Sequence, residues 1–139
     1  MFFFGHMGIG SKLVAPWSKG LPRRWVLLGT LLPDLIDKPL YYGMALFTGR
    51  HGADLGLVSG TRTFGHTALF LLILSLIAIL RSSKPLAALA VGVMTHLLLD
   101  NWVEHYFMGK VGADHLALFF PFLGFHFPVM PYGTFSEHL

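Results

Sequence analysis

Seven ionisable side chains interrupt otherwise apolar stretches of this sequence: His6, Asp34, Asp37, His66, His96, Asp100 and Glu104. Such groups are costly in apolar surroundings, so each is a functional candidate. Asp34 and Asp37 stand three residues apart, which puts both carboxylates on one face of a helix. His96, Asp100 and Glu104 follow at intervals of four, again on one face. Histidine and aspartate at that spacing can ligate one ion together, as two histidines do in an HExxH helix. Two adjacent buried carboxylates with no cation repel until one protonates, and a divalent ion removes the conflict. Blander roles exist for each residue alone. A single histidine in an apolar helix often serves only a helix–helix hydrogen bond, and an aspartate pair can be met by Lys38 or Arg62. Taken together, His6, Asp34, Asp37, His66, His96 and Asp100 are the expected metal ligands. The chain has no cysteine, so imidazole and carboxylate are the available donors. That donor set suits Zn, Mn or Fe, as one ion or two.

These groups need elements to carry them, and the pattern reads as helices. Apolar runs extend from about Phe2 to Trp17, from Trp25 to about Asp37, from Phe64 to Leu80 and from Leu86 to about Phe107. Pro39 is expected to break the second run and leave Leu40 to Phe47 as a separate half-helix. Thr48 to Arg62 reads as a glycine-rich polar loop. Arg62 and Arg81 bracket eighteen uncharged residues, which at 1.5 Å per residue reach about 27 Å, near a ~30 Å hydrocarbon core. The stretch from His115 to Ser136 holds three prolines, too many for one straight helix. No period-two alternation supports strands. The expectation is an all-α, small polytopic membrane bundle of about four main helices, with a proline-broken C-terminal segment, in one domain spanning 1–139.

The helix lengths make a further point about the candidate ligands. If the basic turns Lys19 to Arg24 and Arg81 to Lys84 share one membrane face, depths follow from the helical rise. His6 and Asp37 lie roughly 20 Å from those turns, His66 and Asp100 about 22 Å, Asp34 and His96 about 15 Å. Four helices would thus bring their polar groups into one layer.

Composition agrees with an apolar solvent. Hydrophobic residues make up 54% and charged residues 12%, against roughly 45–50% and 25% in soluble domains. Mean hydropathy is +0.63. Too few charges remain to coat a soluble protein of this size. The net charge of +3 comes from basic residues scattered singly or in pairs, without the stripe that phosphate tracking needs, so nucleic acid is not an expected partner. A histidine and several glycines interrupt the first apolar run and no basic region precedes it, so the N-terminus is expected to be retained. Trp17, Trp25, Trp102 and Tyr106 would suit interfacial anchoring.

At Leu32-Pro33-Asp34-Leu35-Ile36-Asp37, Arg62-Thr63-Phe64-Gly65-His66-Thr67 and His96-Leu97-Leu98-Leu99-Asp100, the sequence resembles a known family. This is the LexA-regulated, membrane-bound metal-dependent hydrolases, also described as YdjM-like inner-membrane hydrolases. His6 and the aromatic-proline segment Phe120-Pro121-Phe122 match its outer motifs, so the resemblance spans nearly the whole chain. One departure is Thr61, which stands where the family often has a histidine. His51, His105 or His115 would have to replace that group.

The resemblance implies hydrolysis in the inner membrane, and the residues suggest how. The expected substrate is a lipid-linked ester, with a phosphoester preferred. Arg62, one turn before His66, is placed to hold a phosphate in bidentate fashion. Its simpler role is as a flanking topology residue. His105 or His115 would protonate the leaving group, although a loop or interface position suits either. A non-enzymatic metal-binding or ion-transport protein would use the same ligands, and a structural subunit would use the aromatic anchors. Both short basic turns are expected on the cytoplasmic side, with the metal site toward the periplasmic or outer leaflet.

Overall fold

The computed structural model describes residues 6–14, 16, 18–103 and 117–129, with His6, Met7, Ser11 and Val103 described by their backbone alone. Within them the chain is helical and contains no strand. A π-helical turn, His6–Gly10, leads into α1 (Ser11–Val14). Then come α2 (Arg23–Gly29), α3 (Leu32–Thr48), α4 (Ala68–Leu80) and α5 (Lys84–Val103). Two short 3-10 helices, Gly52–Leu55 and Phe64–His66, lie in the connection between α3 and α4.

The expected helix break falls elsewhere. It occurs at Thr30-Leu31, between α2 and α3, and α3 runs straight through Pro39. The second apolar run is therefore two helices, and the separate half-helix from Leu40 is not formed. Pro33 explains the position. It lies in the first turn of α3, where a missing N–H costs nothing and the fixed φ favours helix. Pro39 lies on an exposed side of α3, which tolerates the one lost bond within 17 residues. Gly49, at φ 66°, ends the helix, and its N–H reaches the Ala45 carbonyl at 2.9 Å.

The apolar run from Phe64 is also shortened. Phe64–His66 forms a 3-10 turn, and α4 starts only at Ala68, where the Thr67 hydroxyl accepts from the Phe70 N–H at 2.9 Å. The remaining 13 helical residues reach only about 20 Å. No helix among the described residues is long and apolar enough to cross a membrane. The fold is all-α, with about four main helices, as expected.

Helix α5 is the axis on which the others pack. Helix α2 crosses it most intimately, at Gly29 and Gly92, where backbone meets backbone. Close by, Val14, Val26 and Ala88 form a small apolar core with Leu21, Trp25 and Val91 around it. Toward the other end of α5 the interior turns polar, with Thr30, Asp34, Asp37, Thr63, His66, His96 and Asp100 all buried. Much of the apolar content stays outside. Helix α4 buries only Ala78 and exposes Leu72, Ile79 and Leu80, while Leu46 and Phe47 at the end of α3 are more than four-fifths exposed.

Candidate metal centre

Asp37 is the best-held side chain of the polar interior. One of its oxygens accepts from the Thr63 N–H at 2.7 Å and from the His66 Nδ1–H at 2.7 Å. The other accepts from the Gly65 N–H at 2.9 Å. A carboxylate only accepts, so the His66 proton sits on Nδ1 and Nε2 is the basic nitrogen. This bonding needs close approach of the loop to α3. A Cβ on Gly65 would stand 2.9 Å from the Pro33 carbonyl oxygen and 3.0 Å from its Cα, so only glycine fits there without displacement.

His96 is fixed in the same sense from another helix. Its Nδ1–H donates to the Thr30 carbonyl at 2.7 Å, which again leaves Nε2 as the basic nitrogen. Thr30 is fully buried, in the break between α2 and α3, so the break itself supplies the acceptor. The two Nε2 atoms face one another at 3.1 Å. At that separation either one ring donates a proton to the other or both nitrogens face a cation.

Two carboxylates complete the group. Asp34 Oδ1 is 3.7 Å from His66 Nε2, and Asp100 Oδ2 is 3.5 Å from His96 Nε2 and 3.7 Å from His66 Nε2. Ligands at ~2.0–2.1 Å around a tetrahedral Zn ion are about 3.3–3.4 Å from each other. Four of the six separations among these donors, each involving a histidine nitrogen, are 3.1–3.7 Å and close to that figure. Asp34, His66 and His96 are buried, with one ligand atom from each lying within 4.8 Å of the others, and this group can hold a metal ion.

The expected ligands are thus distributed as follows. Asp34, His66, His96 and Asp100 converge. Asp37 does not face the same point: both its oxygens are engaged by protein donors, and it stands behind His66 rather than beside it. The reason lies in the spacing. Three residues along α3, Asp34 and Asp37 point to the same side but meet opposite edges of one imidazole. The His6 side chain, His105 and His115 lie outside the described residues. Arg62 reaches the centre through Asp100, with Nη2 3.5 Å from Oδ2. Lys38, one turn after Asp34, bonds its Oδ2 at 2.7 Å.

Three contributors were not singled out from sequence: the Thr30 carbonyl and the N–H groups of Thr63 and Gly65. Backbone groups carry no residue-type signal. Gly65, next to the candidate His66, was the one hint available.

A layer of aromatic rings closes over the loop that carries His66. Phe127 stacks on Phe120 at 4.4 Å and meets Phe64 edge-on at 5.2 Å, and the Ser59 hydroxyl donates to the Phe127 carbonyl at 3.3 Å. The segment 117–129 therefore braces the Phe64–His66 turn. Compared with protein-family models, curated proteins and solved structures, the chain matches none of them.

Proposed function

We propose that this chain is a membrane-embedded, metal-dependent hydrolase acting on a lipid-linked ester, with a phosphoester the preferred chemistry. The observation that carries the reading is the 3.1 Å approach of two imidazole Nε2 atoms whose rings are each protonated on the other nitrogen. Asp34, His66 and His96 would hold the ion, with Asp100 as a fourth donor. When bound, the ion supplies Lewis-acid activation of the ester and of water.

The protein's own groups do the remaining work. Asp37 fixes the tautomer and orientation of His66, as the outer partners of metal-bound histidines do. The Thr30 carbonyl does the same for His96. Arg62 lies beside Asp100 and adds a cation next to the centre.

The membrane setting rests on the exterior. Leu46, Phe47, Ile79, Leu80, Phe122 and Phe125 are all more than 70% exposed, a surface suited to acyl chains rather than water. The basic turns would then face the cytoplasm and the metal centre the periplasmic or outer leaflet.

The test is hydrolysis of lipid phosphoesters by detergent-purified protein, before and after chelation. Activity should vanish with chelator and return when Zn, Mn or Fe is restored. A protein that takes up metal yet hydrolyses no lipid ester would be a binding or transport protein instead.

A further inference from the structure

We infer that the groove between α4 and α5, at the end of the molecule that carries both basic turns, binds one anionic phospholipid. This site is separate from the metal centre and does not depend on the function proposed above. Leu21 of the first basic turn and Ser82, Ser83 and Lys84 of the second all line the groove, so the fold brings the two turns together. From there the groove runs back from Ser82 to Ser75 of α4 and forward from Lys84 to Val91 of α5, about 10 Å along either path. The small side chains of Ala78, Ala87 and Ala90 leave it open. His96 lies about 18 Å along α5 from Lys84, so the candidate metal centre is toward the other end.

Charge and surface together choose the occupant. The sequence from 1 to 33 and from 62 to 99 contains no Asp or Glu, and no acidic side chain lines the groove. Lys19, Arg23 and Arg24 flank Leu21, and Arg81 adjoins Ser82. With Lys84, five of the chain's ten basic residues therefore gather at this end. All five are exposed, and among the described residues none of them makes an ion pair. A cation so placed strengthens binding to an anionic lipid about fivefold. The surroundings do not suit a soluble anion. Ile79, in the groove wall, and Leu80 beside it are more than 70% exposed, and Leu72 and Leu76 extend the exposed apolar surface along α4. A free phosphate would use the cations and leave that surface in water. A phospholipid places its headgroup on the cations and a tail along the apolar wall. The volume agrees: about 390 Å³ falls within the ~300–1,000 Å³ of small-ligand sites, whereas a partner helix ~10 Å across would fill it within one turn.

The test is lipid retention. Protein in a maltoside detergent is titrated with phosphatidylglycerol or with zwitterionic phosphatidylcholine, and bound lipids are counted by native mass spectrometry. Wild-type protein should retain one phosphatidylglycerol, at least about fivefold more tightly than phosphatidylcholine. Arg81→Ala and Lys84→Ala should each weaken phosphatidylglycerol about fivefold and leave phosphatidylcholine unchanged. Lys12→Ala, which removes an exposed cation that does not line the groove, should change neither. Ala87→Phe puts a ring into the groove with every cation intact and should abolish retention. Ser75→Phe does the same from α4 and replaces it if Ala87→Phe lowers the thermal midpoint. Glycerol phosphate, a headgroup without tails, should not compete. Competition by it equal to that of the lipid assigns the cations to a soluble anion and overturns the lipid site. Equal retention of the two lipids by wild type, or wild-type affinity in a folded phenylalanine variant, overturns it as well. His66→Ala should bind phosphatidylglycerol as wild type does, so the lipid site and the metal centre succeed or fail separately.

Discussion

Gly92→Ala should lower stability by about 3 kcal/mol, the upper part of the range for overpacking a close-packed interior. At the crossing of α2 and α5, a Cβ on Gly92 would overlap the Val26 carbonyl oxygen and stand 2.7 Å from both Gly29 Cα and its carbonyl carbon. All of these are backbone atoms, so no rotamer change relieves the collision and the helices must separate. Separation opens the Val26–Ala88 core and moves Thr30, whose carbonyl orients His96. Thermal unfolding followed by circular dichroism should show a midpoint lower by roughly 10 °C. Gly43→Ala is the control. A Cβ there meets nothing within 4 Å, and alanine is the better helix former by ~1 kcal/mol. Equal midpoints for Gly92→Ala and wild type would show that the helices do not cross as described.

If the chain is the proposed hydrolase, Asp34→Ala, His66→Ala and Asp100→Ala should each abolish hydrolysis while the protein remains folded. Each removes a donor from the cluster and leaves the apolar core around Val14, Val26 and Ala88 untouched. Asp37→Asn should behave differently. It keeps the shape and one acceptor but loses the charge behind His66, so metal affinity should fall 10–100-fold, roughly the effect of removing an outer partner. High metal concentration should then restore much of the Asp37→Asn activity and none of the Asp34→Ala activity. Wild-type turnover in any two of the three alanine variants would remove the proposed centre.

The candidate cluster was more legible in the sequence than the elements that carry it. Ionisable residues in apolar runs stand out by type, and the spacing of His96 and Asp100 places them on one face of α5, as the structure shows. The same logic could not separate the roles of Asp34 and Asp37. Which edge of His66 each meets depends on the loop from Thr63 to Gly65 folding onto α3, a contact far apart in sequence. Pro39 misled because proline inside a helix and proline that starts one look alike without the neighbouring break. The length of α4 was overread for a similar reason: Phe64, Gly65 and His66 are as compatible with an apolar helix as with the tight turn that Asp37 imposes. Gly29, Gly43 and Gly92 are each single glycines in helical runs, and only the packing shows that two of them are contact points.

Facing imidazoles that hold an ion should retain it through purification. Elemental analysis of wild-type protein purified in detergent, beside His66→Ala prepared identically, measures this without knowledge of the substrate. Wild-type protein should carry at least one equivalent of Zn, Mn or Fe per chain, and His66→Ala should lose it. Stoichiometric metal in neither protein, or equal amounts in both, would rule out the metal centre.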